Sequence, residues 1–192
     1  MKVLIIKLTS MGDLMHTLPA LTDAQNFYTG ITFDWVIDKN FSEVGQWHPC
    51  VDQIINTDHR NWKKQLSDKK TRESFKKTIE TINDNKYDLV IDMQNNLKSA
   101  FISYLCNKEV CGMDRKSARE YPSHWAYSTT YNIPKNQHAI TRQRSLLAKS
   151  LGYEVIDKTI DYGVDKSCFR KPKFKLPKKY VVLVHNASKP NK

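Results

Sequence analysis

No stretch of this 192-residue chain approaches the roughly 18–20 consecutive apolar residues of a membrane span. At the amino terminus Val3-Leu4-Ile5-Ile6 is interrupted by Lys7, and no small-residue cleavage site follows. A secretory leader is not expected, and the chain is expected to stay in the cytosol. Cysteine is scarce: Cys50, Cys106, Cys111 and Cys168 are scattered, with no CxxC pair. Such thiols read as reduced and structural. His16, His48, His59 and His138 do not form a ligand set of recognisable spacing, so no metal is expected. Glycine-rich phosphate loops of the forms GxGxxG and GxxxxGK[ST] are missing too. That excludes a dinucleotide fingerprint or a nucleoside-triphosphate loop, and no cofactor is expected.

What is present is an ordinary globular balance, 40% hydrophobic and 27% charged residues, which excludes disorder as the main state. The net charge of +11 is unevenly spread. Nine of those eleven excess positive charges fall in residues 166–192, which hold no acidic residue, leaving +2 for the rest. No arginine-rich helix or zinc-finger spacing accompanies the basic strip, so nucleic acid is not an expected partner. The strip reads either as a contact for an anionic surface or as a solvated linker.

Short apolar runs alternate with amphipathic stretches. Strands are predicted at residues 2–7, 33–38, 51–56, 88–93 and 109–113. A helix follows the loop 9–13 with Leu14, Leu18, Leu21 and Ala24 on one face and a bend at Pro19. Further helices are predicted at 41–47, 69–83, 97–105 and 137–151, the last stopped by Gly152. This order predicts an α/β fold, a Rossmann-like parallel sheet with helices on both faces. Residues 1–165 form this first domain and 166–179 a basic Pro/Lys linker. Residues 180–192 read as the first strand, buried, and loop of an incomplete second domain.

Ligands of such sheets bind beyond the carboxyl ends of the strands. Residues 7–13, 56–64, 94–98 and 114–119 all lie there. Asp13, after Gly12 at a strand-to-helix junction, reads either as a catalytic carboxylate or as a helix cap. Lys7, Arg60, Lys63, Lys64, Lys98, Arg119 and Arg142 cluster near the same edge and suit a polyanion. His16 reads as a core or supporting residue near Asp13. The four tryptophans read as packing residues, with Trp62 the one expected at an exposed cleft.

From Lys7-Leu-Thr-Ser-Met-Gly-Asp13 through Leu-Met-His-Thr-Leu-Pro-Ala-Leu-Thr-Asp-Ala-Gln25 the chain resembles the lipopolysaccharide heptosyltransferase I group of glycosyltransferase family 9. The likeness continues at Phe33-Asp-Trp-Val36, Asp92-Met-Gln94, Lys98-Ser-Ala100, Gly112-Met-Asp114, Ala118-Arg-Glu120, Gln137-His-Ala139 and Ala148-Lys-Ser-Leu-Gly-Tyr153. The resemblance implies the amino-terminal, acceptor-binding half of a two-domain GT-B transferase. It implies inverting transfer of heptose from ADP-heptose to the Kdo of Kdo2-lipid A, in lipopolysaccharide core biosynthesis. It also implies a peripheral place on the cytoplasmic face of the inner membrane. Asp13 matches the family's base. Ser10, Arg60, Lys63, Lys64, Lys98, Arg119 and Arg142 match its acceptor side, with Lys63 standing where the family can have arginine. Met11, Gly12, Ser188 and Lys192 match its donor side, and Ala187 replaces a hydroxyl residue. A chain ending at Lys192 is expected to bind acceptor and to turn over little. The alternative is a noncatalytic binding domain for an anionic glycolipid or a partner protein.

Overall fold

The computed structural model describes residues 1–65, 67–156, 158–170 and 173–183, without the side chains of Arg60, Lys63, Lys64 and Cys168. Six strands, β1 (Lys2–Ile6), β2 (Thr32–Asp38), β3 (Val51–Thr57), β4 (Leu89–Asp92), β5 (Val110–Met113) and β6 (Thr129–Tyr131), form one sheet in the order β3-β2-β1-β4-β5-β6. Every neighbouring pair is parallel. The order reverses between β1 and β4, which opens a crevice at their carboxyl ends.

The central strand shows why the apolar runs are continuous. Val3, Leu4, Ile5 and Ile6 are all fully buried, because helices cover both faces of the sheet. Val3 and Ile5 pack with Leu18, Leu21, Leu146 and Leu147 on one face. Leu4 and Ile6 pack with Ile82, Ile102 and Tyr127 on the other. Each such side chain contributes about 1.5–3 kcal/mol by leaving water. The first face is thus covered by α2 (Leu18–Phe27) and α7 (Ala139–Leu151), the second by α5 (Lys69–Asp84) and α6 (Leu97–Tyr104). A bidentate ion pair, Arg144 to Asp23 at 2.6 and 3.0 Å, ties α7 to α2.

Locally, one expectation is met and others are modified. Gly152 ends α7 in the left-handed region, φ 77°, where glycine has no Cβ penalty. The expected single helix after β1 is instead two: α1 (Met11–Met15) and α2. Pro19 has no N–H to give to the Met15 carbonyl and its ring crowds that carbonyl, so the chain breaks at His16 and Thr17 and restarts with Pro19 in the first turn. The expected helix at 41–47 is a 3-10 turn, Lys39–Phe41, followed by the short α3 (Ser42–Gly45). Residues 56–64, placed at the carboxyl edge of the sheet, contain α4 (His59–Lys64).

β6 is not apparent from the sequence. It is a three-residue edge strand, mostly exposed, and carries no apolar run. Tyr180, Val181, Val182 and Leu183 were expected to begin a buried strand, yet they are 58–83% exposed and unpaired with any strand. An apolar run becomes a buried strand only where neighbouring strands and covering helices receive it, and no described residue does so there. The rest of that expected segment, 184–192, lies outside the described residues. Before it, the chain stays on the body: Asp165 N–H donates to the Trp47 carbonyl, and Phe169 tilts against Trp47 at 5.3 Å. Among the described residues no helix is long and apolar enough to cross a membrane.

Candidate functional site

The crevice at the carboxyl ends of β1 and β4 holds a cavity of about 450 Å³. The segment after β1 supplies Lys7 and Asp13, and the turn after β4 supplies Gln94 and Asn95. Arg119 enters from the loop after β5, and Arg142 and Gln143 from α7, with Lys135 just before it.

Three polar residues at the end of β4 and in the turn after it shape this wall. Asp92, at the end of β4, is fully buried and accepts the N–H groups of Gln94 and Asn95, both at 2.8 Å. Gln94 Oε1 in turn accepts Leu8 and Thr9 N–H at 3.1 and 3.3 Å, which pins the segment after β1 to the end of β4. Asn95 sits in the left-handed region, φ 54°, which asparagine tolerates better than most residues. Its side chain donates to the Asp92 carbonyl and accepts Met113 N–H. Its own carbonyl accepts the N–H of Arg119 at 3.0 Å. Asn95 therefore sets where the Arg119 loop lies relative to the cavity.

Lys7 is only 4% exposed, and its ammonium donates to the Met93 carbonyl at 2.9 Å. Burial lowers its pKa to about 8; Asp13 and Asp92 oppose that shift, and Arg119 and Arg142 add to it. Asp13 is the third residue of α1 and half-buried. Its Oδ2 accepts both the Ser10 N–H at 3.0 Å and the Ser10 hydroxyl at 3.1 Å. Burial by itself would raise the Asp13 pKa. The Ser10 N–H, Lys7, the Ser10 hydroxyl and Arg119 outweigh it and hold the carboxyl below its ordinary value. Arg119 lies 3.8 Å from Asp13 and is 59% exposed, so it acts through its field rather than as a tight pair. Asp13 therefore closes the capping box of α1 and stands ionised at a cavity lined by cations.

Arg142 donates to the Ser117 carbonyl at 2.6 Å and contacts Met113 Sδ at 3.2 Å. Burial lowers its pKa. Its Nε, and Gln143 Oε1 beside it, are buried without a hydrogen-bond partner among the described residues. Buried polar atoms are rarely left so, and both residues line the cavity.

Of the residues singled out from sequence, Lys7, Asp13, Arg119 and Arg142 converge on this cavity. Ser10 is exposed and attached to Asp13. Lys98 is exposed on α6 and does not line the cavity. Met11 and Gly12 open α1 beside it; a Cβ built on Gly12 meets nothing within 4 Å, so packing does not require glycine there. Arg60, Lys63 and Lys64 lie on α4, but their side chains are outside the described set, and Ser188 and Lys192 lie outside the described residues altogether.

Sequence reasoning missed Lys135, Gln143 and Asn95. Asn95 had a signal, a run of polar residues at a strand-to-helix junction; Lys135 had none. Two tryptophan readings are reversed. Trp62 is 7% exposed and packs edge-on against Phe75 at 5.0 Å, whereas Trp125 is 71% exposed. His16 is half-buried and meets the His138 ring at 5.6 Å, a place beside the site rather than in it.

A carboxylate among cations stands at the switch point of a doubly wound α/β sheet, where such folds place their ligands. Known proteins narrow this. Glycosyltransferase family 9 (heptosyltransferase) matches residues 75–192. The chain is 39% identical over 196 residues to lipopolysaccharide heptosyltransferase 1 of Salmonella typhimurium (strain LT2), covering 100% of this chain and 61% of that protein. It is 42% identical over 168 residues to the protein of the same name from Escherichia coli (strain K12), covering 85% and 52%. The solved E. coli heptosyltransferase WaaC with ADP-2-deoxy-2-fluoro heptose superposes with a TM-score of 0.82 at 42% identity, over 84% of this chain and 52% of that one. The chain belongs to glycosyltransferase family 9. It spans about half the length of the curated relatives it matches, and its sheet corresponds to the amino-terminal domain of a GT-B fold.

Proposed function

We propose that this chain forms the acceptor side of an inverting heptosyltransferase of lipopolysaccharide core synthesis. In this reading Asp13 takes the proton from an acceptor hydroxyl as that oxygen attacks the anomeric carbon of ADP-heptose. The bond from that carbon to the ADP oxygen breaks, and ADP leaves from the opposite face. Kdo2-lipid A is the acceptor, and its carboxylates and phosphates suit the cations around the cavity. The protein would work at the cytoplasmic face of the inner membrane. The observation that carries the reading is the convergence of Asp13 with Lys7, Arg119, Lys135 and Arg142 on one cavity. The relatives' names support the donor and the reaction.

The test is calorimetric binding of the water-soluble, deacylated saccharide of Kdo2-lipid A. Arg119→Ala and Arg142→Ala should each weaken binding by about tenfold or more, since each removes a charge-assisted contact. Absence of saccharide binding, or binding indifferent to both arginines, overturns the proposal.

Lys7 adds a pH dependence. Its charge attracts the saccharide, so affinity should fall as pH rises through about 8, by on the order of tenfold. Its effect on stability has the opposite sign. Because the folded-state pKa is depressed, the contribution of this group is present above the unfolded value of 10.5 and is lost as pH falls through about 8. Calorimetry on the wild type and Lys7→Met separates the two, because the methionine variant should lose the step in affinity.

A further inference from the structure

α6 has an inner face of Ser99, Ala100, Ile102 and Ser103 that is buried against the sheet. Its outer face should then be polar. It is not: Leu97, Phe101 and Tyr104 are 49%, 56% and 74% exposed. Their spacing of four and three residues puts them on one stripe. The 3-10 turn Ser123–Ala126 packs beside α6 and adds Trp125, 71% exposed, against which Tyr121 stands edge-on at 5.6 Å. Cations border this apolar stripe. Lys98 is exposed on the same helix, Arg115 sits over the Tyr121 ring at 5.2 Å, and Lys116 beside it is exposed. The acidic group next to them, Glu120, is engaged by the Leu97 N–H at 3.0 Å.

We infer that this face docks on the headgroup region of an anionic lipid bilayer. Tryptophan and tyrosine with an apolar body and a polar edge, beside lysine and arginine, suit that boundary. A second copy suits it less, since a two-fold contact would bring the basic rim against itself. The placement adds an argument that rests on the proposed function. Arg115 and Arg119 share one loop, and Asn95, two residues before Leu97, lines the cavity. The docking face therefore adjoins the cavity, as an acceptor anchored by acyl chains would need.

Co-sedimentation of the chain with phosphatidylcholine vesicles, with and without phosphatidylglycerol, tests this. Binding is expected with phosphatidylglycerol and should weaken with salt. Trp125→Glu and the pair Lys98→Glu/Arg115→Glu should each reduce it by about tenfold or more. Ile156→Glu, the same kind of change at an 86% exposed apolar residue of the α2/α7 side, should not. Circular dichroism confirms that each variant is folded. Binding of the soluble saccharide should persist in Trp125→Glu, which separates this inference from the proposed function: loss of saccharide binding in the wild type sinks the function alone. Wild type that ignores both vesicle types, variants that bind like wild type, or a Trp125-dependent dimer in place of vesicle binding overturns the inference.

Discussion

Replacing Asp13 with asparagine is expected to reduce heptose transfer by about 100- to 10,000-fold, the usual span for removing a positioned base. Asparagine keeps the shape of the side chain and an oxygen that can accept from the Ser10 N–H, now at 3.0 Å. The helix should therefore stay capped, and stability should change by about 1 kcal/mol or less. Only the proton acceptor is lost. The readout is the mass shift of Kdo2-lipid A with ADP-heptose, in a preparation that transfers, alongside saccharide binding. Transfer within a few-fold of wild type would remove Asp13 from the chemistry and leave it a cap. The free site holds this carboxylate below its ordinary pKa, which makes it a weak base. An anionic acceptor arriving near Lys7 and Arg119 shares their field, and Asp13 should become more basic when its substrate is in place.

The second large effect concerns Asp92, which does not line the cavity. Four donors converge on its buried carboxylate. Besides the two backbone N–H groups of the turn, the Tyr127 hydroxyl donates at 2.8 Å and Ser103 at 3.3 Å. Burial raises its pKa, with the turn N–H groups and the Tyr127 hydroxyl among the contacts that oppose the shift. Asp92→Ala leaves the two backbone N–H groups and the Tyr127 hydroxyl without that acceptor in the interior, while Ser103 keeps the Ser99 carbonyl at 3.0 Å. The expected loss is about 3–5 kcal/mol, a large part of the roughly 5–15 kcal/mol typical of a domain. Urea unfolding followed by circular dichroism measures it. Asp92→Asn should cost less, since its oxygen still accepts from Gln94 and Asn95. The site should feel the alanine as well, because that turn carries Gln94, which holds the segment after β1, and Asn95, which holds the Arg119 loop. An unfolding midpoint like that of wild type would mean that the turn holds itself. Gly112 serves the same network, since a Cβ there would fall 2.4 Å from the Tyr127 ring.

Much of this was legible from the sequence. A run such as Val3-Leu4-Ile5-Ile6 has no polar residue to face water, so it had to be a strand covered on both sides. Strands alternating with amphipathic helices leave a parallel sheet as the arrangement, and its carboxyl edge as the place for a ligand. Asp13 at such a junction, and basic residues at neighbouring strand ends, followed from that logic and from the motif around Asp13. Gly152 could be read as a helix stop because the left-handed conformation favours glycine.

Other features depend on contacts that no local pattern encodes. Trp62 and Trp125 look alike in sequence; one is buried because Phe75 covers it, and the other is exposed because nothing described does. β6 is a strand only because β5 offers it hydrogen bonds. Lys7 and Arg142 lie far apart in the chain yet share a cavity, and Lys135 and Gln143 reach it only through the packing of α7. The sequence by itself determined the alternation of strands and helices and the class of sheet, and singled out Asp13 as the carboxylate at its edge. The tertiary structure decided which cations face that carboxylate, how burial shifts Lys7, and which apolar face is left uncovered. Burial and proximity are properties of the packed sheet and helices, and they come into being only when distant segments meet.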